Sequence, residues 1–177
     1  MAELERRSEE INRLNVFPVP DSDTGSNLAY TMRSALTAAE RAAADDPASG
    51  VAELAAALAR GAVRGARGNS GVVLSQVLRG LAAQASAGGI DGPAAAGALK
   101  RAYELVREAI SEPVEGTVLT VLRAAAFAPS EGDDLSAVID KATAAARRAL
   151  AATPSQLPAL QEAGVVDAGG SGLVVLL

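Results

Sequence analysis

The chain has 177 residues, enough for one domain with a sizeable core, and 49% of them are apolar, which excludes an intrinsically disordered segment. Its 16 basic against 21 acidic residues leave a net charge of -5, so there is no electrostatic case for nucleic acid or an anionic membrane surface as a partner. Cysteine and histidine are both absent, which removes disulfides, thiolate or imidazole metal ligands, cysteine nucleophiles and the commonest general base.

Aromatic residues make up only 2% and alanine dominates, a composition that suits closely packed helices better than a sheet and predicts an all-α domain. The N-terminus is charged and lacks a signal-peptide pattern, and no apolar run is long enough for a membrane span. The expected setting is therefore the cytoplasm, without membrane insertion.

In chain order, residues 1–14 predict a charged amphipathic helix with Leu4, Ile11 and Leu14 inward, ended by a proline-containing loop. A second helix is expected over 26–44, stopped by Asp45-Asp46-Pro47, and a third over 51–63. Arg64-Gly65-Ala66-Arg67-Gly68-Asn69-Ser70-Gly71 reads as an interruption before a fourth helix over 71–84. A fifth follows from Pro93 to about 110, and Glu115-Gly116-Thr117 opens a sixth over 117–126. A loop over 129–133 precedes a seventh helix that Asp134 is placed to cap. A short helical turn stopped by Gly164 comes next, and then a glycine-rich turn, Asp167-Ala168-Gly169-Gly170-Ser171-Gly172, leading into five apolar residues. An end so apolar reads as a single domain, 1–177, that forms the N-terminal part of a longer protein.

Chemistry concentrates in the loop Asn15-Val16-Phe17-Pro18-Val19-Pro20-Asp21-Ser22-Asp23-Thr24-Gly25-Ser26-Asn27. Asp21 and Asp23 stand two residues apart in a proline-stiffened segment that opens onto a helix, where carboxylates can share one cation and free N–H groups can face its phosphates. A calcium loop would need a glutamate at its twelfth position, which here is Met32. A magnesium ion shared with substrate phosphates requires fewer protein ligands. Taken alone, an Asp-x-Asp pair is more often a turn with a helix cap, and Gly68-Asn69-Ser70-Gly71 alone is more often a connection between helices. Glycine-rich helix starts nonetheless recur three times, after Asp21, at Gly68 and at Asp167, and would form an anion-binding rim if those ends point the same way. Arg64 and Arg67 are near enough in sequence to pair with a phosphate there.

Four blocks together carry a family resemblance: Leu14 to Asn27; Gly65-Ala66-Arg67-Gly68-Asn69-Ser70-Gly71-Val72-Val73-Leu74-Ser75-Gln76; Glu112-Pro113-Val114-Glu115-Gly116-Thr117-Val118-Leu119-Thr120-Val121; and Gly164-Val165-Val166-Asp167-Ala168-Gly169-Gly170-Ser171-Gly172. The chain resembles the nucleotide-binding domain shared by the ADP/ATP-binding subunit of dihydroxyacetone kinases and the N-terminal part of bacterial fatty acid kinase, the latter more closely. The resemblance implies an antiparallel barrel of about eight helices, with ATP or ADP and magnesium held by loops at one end. It implies that Asp21 and Asp23 bind the metal and serve catalysis, with Asn15 the candidate third ligand where the sugar kinases carry an earlier aspartate. Thr24, Asn27, Asn69 and Ser70 would face the phosphates, Gly68 and Gly71 would permit close backbone approach, Thr117 would lie near the nucleotide, and Asp167, Gly169 and Gly170 would close its adenine or ribose side. Glu112 stands where relatives often carry lysine, and has no assigned role.

The activity this implies is transfer of the γ-phosphate of Mg-ATP to a fatty acid carboxylate, delivered by a separate fatty-acid-carrying protein through a region outside this chain. A dihydroxyacetone kinase subunit and a non-catalytic nucleotide-binding helical module remain alternatives. A homodimer is left open.

Overall fold

The computed structural model describes residues 1–130 and 132–177; Glu131, in the expected loop over 129–133, lies outside the described residues. Among the described residues there are ten α-helices, seven of them at least seven residues long, and no strand, as the alanine-rich, aromatic-poor composition predicts. None of the helices is long and apolar enough to cross a membrane.

The expected first helix is two, α1 (Ala2–Arg6) and α2 (Ser8–Arg13), because the backbone departs from helical geometry at Arg7; Leu4 and Ile11 are nonetheless both fully buried. The long helices follow as α3 (Thr24–Asp45), α4 (Val51–Arg64), α5 (Gly68–Gln84), α6 (Gly92–Ala109), α7 (Val118–Phe127) and α8 (Leu135–Ala152). Local chemistry sets several ends: Asp91 and Asp134 each accept a hydrogen bond from a first-turn N–H, at 2.9 and 2.8 Å, and Pro93 sits in the first turn of α6. After a 3-10 turn, Thr153–Ser155, come α9 (Pro158–Ala163), which ends on Gly164 in left-handed geometry (φ 67°), and α10 (Ala168–Leu176).

Two boundaries differ from expectation in the same way. Helix α5 starts at Gly68 rather than Gly71, and the expected glycine-rich turn at 167–172 is the opening of α10. Glycine and serine have weak helix propensity, but tertiary packing outweighs it here: a methyl group on Gly172 would lie 2.2 Å from Leu28 Cδ1, so only a bare backbone fits.

Each of α3 to α8 packs against the next through a short connection, which makes neighbours antiparallel. Helix α10 closes the arrangement, touching α1, α2 and α3 on one side and α7 and α8 on the other. The core has two halves that meet at α10. Leu4, Ile11, Leu28 and Leu74 centre one; Val106, Val121, Leu122 and Val138 centre the other. No aromatic side chain is among the buried residues, so density is reached by bringing small residues into near contact.

Gly80 makes that closeness testable. A methyl group there would stand 2.6 Å from the backbone N of Ala102 and 2.8 Å from Ala98 O, so α5 and α6 would have to separate. Gly80→Ala is expected to destabilise the domain, overpacking costs of roughly 1–3 kcal/mol outweighing the roughly 1 kcal/mol gained in helix propensity. Gly97→Ala, whose methyl would meet only the end of Gln84, is expected to hold or raise the melting temperature. Equal melting temperatures for the two variants would contradict this account of the α5–α6 contact.

Candidate functional site

Antiparallel succession places the N-termini of α3, α5 and α7 at one end of the molecule, with the start of α10 and the C-terminus of α6 beside them. A cavity of about 570 Å³ opens there. Its polar wall comes from those four helix starts, with Ser111 and Glu112 after α6: Asn15, Asp21, Asp23 and Thr24 leading into α3; Gly68, Asn69 and Ser70 on α5; Thr117 at α7; and Asp167 with Gly169 at α10. The rim expected from three glycine-rich helix starts is present, with α7 as a fourth. At α3, α5 and α7 the residue before the helix makes no side-chain cap, so their first-turn N–H groups are not claimed by it.

The loop ahead of α3 is fixed from within. Asn15, 6% exposed, accepts a hydrogen bond from Thr24 Oγ1 at 2.9 Å and donates through Nδ2 to Val19 O at 3.2 Å and to Asp21 Oδ1. From α2, Asn12 accepts from Ser26 N at 3.1 Å and donates to Ser26 Oγ at 2.9 Å, tying the first turn of α3 to the N-terminal segment. Between the aspartates, Ser22 takes a left-handed conformation (φ 55°), which turns the chain sharply there. Asp21 is exposed, Asp23 half-buried, and neither is in an ion pair among the described residues. They are two of the oxygen donors on the cavity wall that a hard cation could use, and no group of three or more His, Cys, Asp or Glu side chains that could hold a metal occurs among the described residues.

Gly68 has φ 57°, and a methyl group on it would lie 2.5 Å from Asn27 Nδ2, so only glycine lets α5 begin against α3 at this point. Behind it, the buried Thr31 hydroxyl donates to Asn27 O at 2.8 Å and accepts from Arg67 N at 3.3 Å, fastening the 65–67 connection to α3.

Asp167 is the most perturbed carboxyl. Burial pushes it up to about 6, although the N–H groups of Gly170 (2.6 Å) and Val118 pull the other way by favouring the charged form. Its own N–H donates to Thr153 Oγ1 at 3.1 Å.

Three sequence-predicted residues stand outside the cavity wall. Asn27 lies behind Gly68, Gly71 packs on Thr31 Oγ1, and Gly170 sits against Val121 while donating to Asp167. Arg64 and Arg67, near enough in sequence to pair with a phosphate, do not line the cavity, and the Arg67 guanidinium stacks 3.5 Å above the Tyr30 ring. Among the described residues the cavity wall therefore carries four carboxylates, Asp21, Asp23, Glu112 and Asp167, and no lysine or arginine.

Sequence reasoning missed Glu112 and the apolar wall, which includes Phe17, Val19, Ile110, Val114 and Val118. The one available signal was the run of apolar residues, Val16-Phe17-Pro18-Val19, in a loop where solvent exposure would favour polar ones. Glu115 lies outside the wall and acts as a brace. It accepts from Thr120 Oγ1 at 2.6 Å and from both Arg123 terminal nitrogens at 2.7 and 2.9 Å; these bonds, Thr120's first, hold its carboxyl below the usual range.

With this geometry, residues 18–177 match the model of the DAK2 domain. The chain belongs to the DAK2 domain family. It is 39% identical over 176 residues to Protein YloV of Bacillus subtilis (strain 168), covering 97% of this chain and 31% of that protein. It is 39% identical over 178 residues to an uncharacterized protein of Staphylococcus saprophyticus, 98% of this chain and 32% of that one, and 37% identical over 176 residues to one of Staphylococcus aureus (strain USA300), 97% and 31%. The chain thus spans about a third of the length of these relatives. A DAK2 domain is a nucleotide-binding domain of the dihydroxyacetone kinase family, and the rim of helix N-termini is where this DAK2 domain has groups suited to phosphates.

Proposed function

We propose that this DAK2 domain binds ATP with magnesium and presents the γ-phosphate to a fatty acid carboxylate held by a separate carrier protein, yielding an acyl phosphate. The observation that carries the phosphate-donor half is the convergence of four helix N-termini and the Asp21–Asp23 pair on one cavity whose wall has no basic side chain. Such a wall repels a bare polyphosphate, so the two aspartates fit a divalent cation that travels with it. Magnesium held there supplies charge neutralisation for the phosphoryl group in transfer. The protein's share is placement: Asn69 and Ser70 with the N–H groups at the starts of α3 and α5, Thr24's backbone among them, face the phosphates, Thr117 and the start of α7 lie beside them, and Asp167 with Gly169 and the apolar wall around Ile110 and Val118 accept the nucleoside. In the reaction a carboxylate oxygen attacks the γ-phosphorus and the bond to the ADP oxygen breaks. That asks for no histidine, which agrees with a chain that has none.

The acceptor half rests on the likeness of the loop Asn15 to Asn27 and of the Gly65 block to the fatty acid kinase pattern. The relatives are three times longer than this chain, which leaves room for a region that recruits the carrier. The test is calorimetric titration of the domain with ATP, with magnesium and again with EDTA. Magnesium-dependent binding is expected, and absence of binding in both conditions would sink the proposal. Supplying the full-length protein with ATP and either a carrier-bound fatty acid or dihydroxyacetone on its partner subunit then decides the acceptor. Binding without transfer to either would leave a nucleotide-sensing module.

A further inference from the structure

We infer that Asn15 is not a ligand for the cation but a positioning residue, the middle of a relay that runs from the Thr24 hydroxyl through the Asn15 amide to the Asp21 carboxylate. This rests on the reading that Asp21 and Asp23 hold the cation. Asp21 is exposed in a loop, and its carboxylate would sample several rotamers unless something held it. The holder is buried: Asn15 and Thr24 are 6% and 5% exposed.

The hydrogen bonds fix which way the amide faces. Thr24 Oγ1 donates to Asn15 Oδ1 at 2.9 Å, while both N–H groups of Nδ2 are committed, one to Val19 O at 3.2 Å and one to Asp21 Oδ1. Flipping the amide would set its oxygen against a carbonyl and a carboxylate, acceptor facing acceptor, and leave Val19 O without its donor. The group that Asn15 turns toward Asp21 is therefore a donor, which repels a cation. Coordination by Asn15 beside Asp21 would require that amide to turn over and all three bonds to break. Thr24 is the first residue of α3, so the relay anchors the mobile carboxylate to a long helix.

The two roles predict opposite outcomes for conservative changes. The experiment measures uptake of Mn(II), read as the loss of the free-ion electron paramagnetic resonance signal beyond that caused by the same ADP without protein, alongside the melting temperature. If Asn15 positions Asp21, Asn15→Ala and Thr24→Val weaken Mn(II) binding by about tenfold or more, as loss of a group that orients a metal ligand does. Thr24→Ser, which keeps the hydroxyl, restores it. Asn15→Asp also weakens binding, because it removes the donor and sets a second negative charge against Asp21. Rescue of Mn(II) uptake by Thr24→Ser but not by the near-isosteric Thr24→Val, with a cooperative melting transition in both, separates positioning of a metal ligand from general damage to the cavity.

If Asn15 were a ligand, Asn15→Asp would tighten Mn(II) binding and Thr24→Val would leave it unchanged; either result overturns the relay. Failure of the parent protein to take up Mn(II), or uptake undiminished in Asp21→Ala with Asp23→Ala, overturns the underlying reading of the two aspartates instead.

Discussion

Replacing both Asp21 and Asp23 by alanine is expected to change nucleotide affinity in opposite directions according to whether magnesium is present. With magnesium, the variant should bind ATP at least about 30-fold more weakly, corresponding to roughly 2 kcal/mol for removing the charged partners of a bound ion. In EDTA the sign reverses. The wall of the parent cavity holds four carboxylates and no lysine or arginine, so metal-free ATP meets net repulsion, and removing two of the four should leave affinity equal or higher. The fold should lose little: Asp21 is exposed, Asp23 does not cap α3 through its side chain, neither belongs to an ion pair among the described residues, and the one bond removed is the acceptor of the Asn15 amide. Paired calorimetric titrations with a thermal melt of each protein measure all three. A variant that lost ATP binding equally with magnesium and in EDTA would show that the aspartates shape the cavity rather than hold an ion.

That sign reversal depends on a feature no stretch of sequence displays, the absence of basic residues from the wall. Arg64 and Arg67 flank the Gly68 block and are natural partners for a phosphate when only the chain order is known. The fold sends Arg67 onto the face of Tyr30, a residue of α3 some 37 positions away, and distance along the chain cannot anticipate that contact. The all-α class was legible because alanine and leucine recur at helical spacing in nearly every segment. So were most helix ends, where Asp91, Asp134 and Gly164 carry side-chain or backbone signals that act over three or four residues.

Where expectation and structure part, a long-range contact has overruled a local preference. Gly172 reads as a turn residue, but it lies inside a helix at a point where Leu28 fills the space a side chain would need. Gly68 starts α5 three residues early, where it packs against Asn27. The break at Arg7 has no proline or glycine to announce it, and nothing in the local sequence accounts for it. The same division holds in the site. Asp21, Asp23, Thr24, Asn69 and Ser70 line the cavity, and what singled them out in sequence was the family resemblance, since the local pattern alone reads as a turn and a connection between helices. The apolar wall was not legible, since Ile110 and Val118 continue the stripes of their helices and would look the same if they faced the core.

Asp167 shows how a cavity residue can act on the whole fold, and its replacement by asparagine is expected to remove a pH dependence of stability. Burial raises this carboxyl from 3.8 to about 6, so the folded state favours its protonated form. The stability this group contributes is therefore fully present below about pH 4 and is lost as pH rises through about 6. The difference corresponds to about 3 kcal/mol, since each unit of pKa is worth about 1.4 kcal/mol. The unpaired charge is tolerated above that range because it still accepts from Gly170 N at 2.6 Å and from Val118 at the starts of two helices. Asparagine can accept the Gly170 bond through its amide oxygen and cannot ionise, so Asp167→Asn should match the parent at pH 4 and exceed it by roughly that 3 kcal/mol at pH 7. Glu115 and Asp133, whose carboxyls are held low by hydrogen bonds, Glu115 chiefly to Thr120 and Asp133 chiefly to Lys141, gain stability as pH rises, but they do so in both proteins and cancel in the difference. Urea unfolding of the two proteins between pH 4 and pH 7.5, without nucleotide, measures it. Parallel curves would mean that the helix N-termini offset burial completely, and that this cavity holds an ionised Asp167 at no cost to the fold.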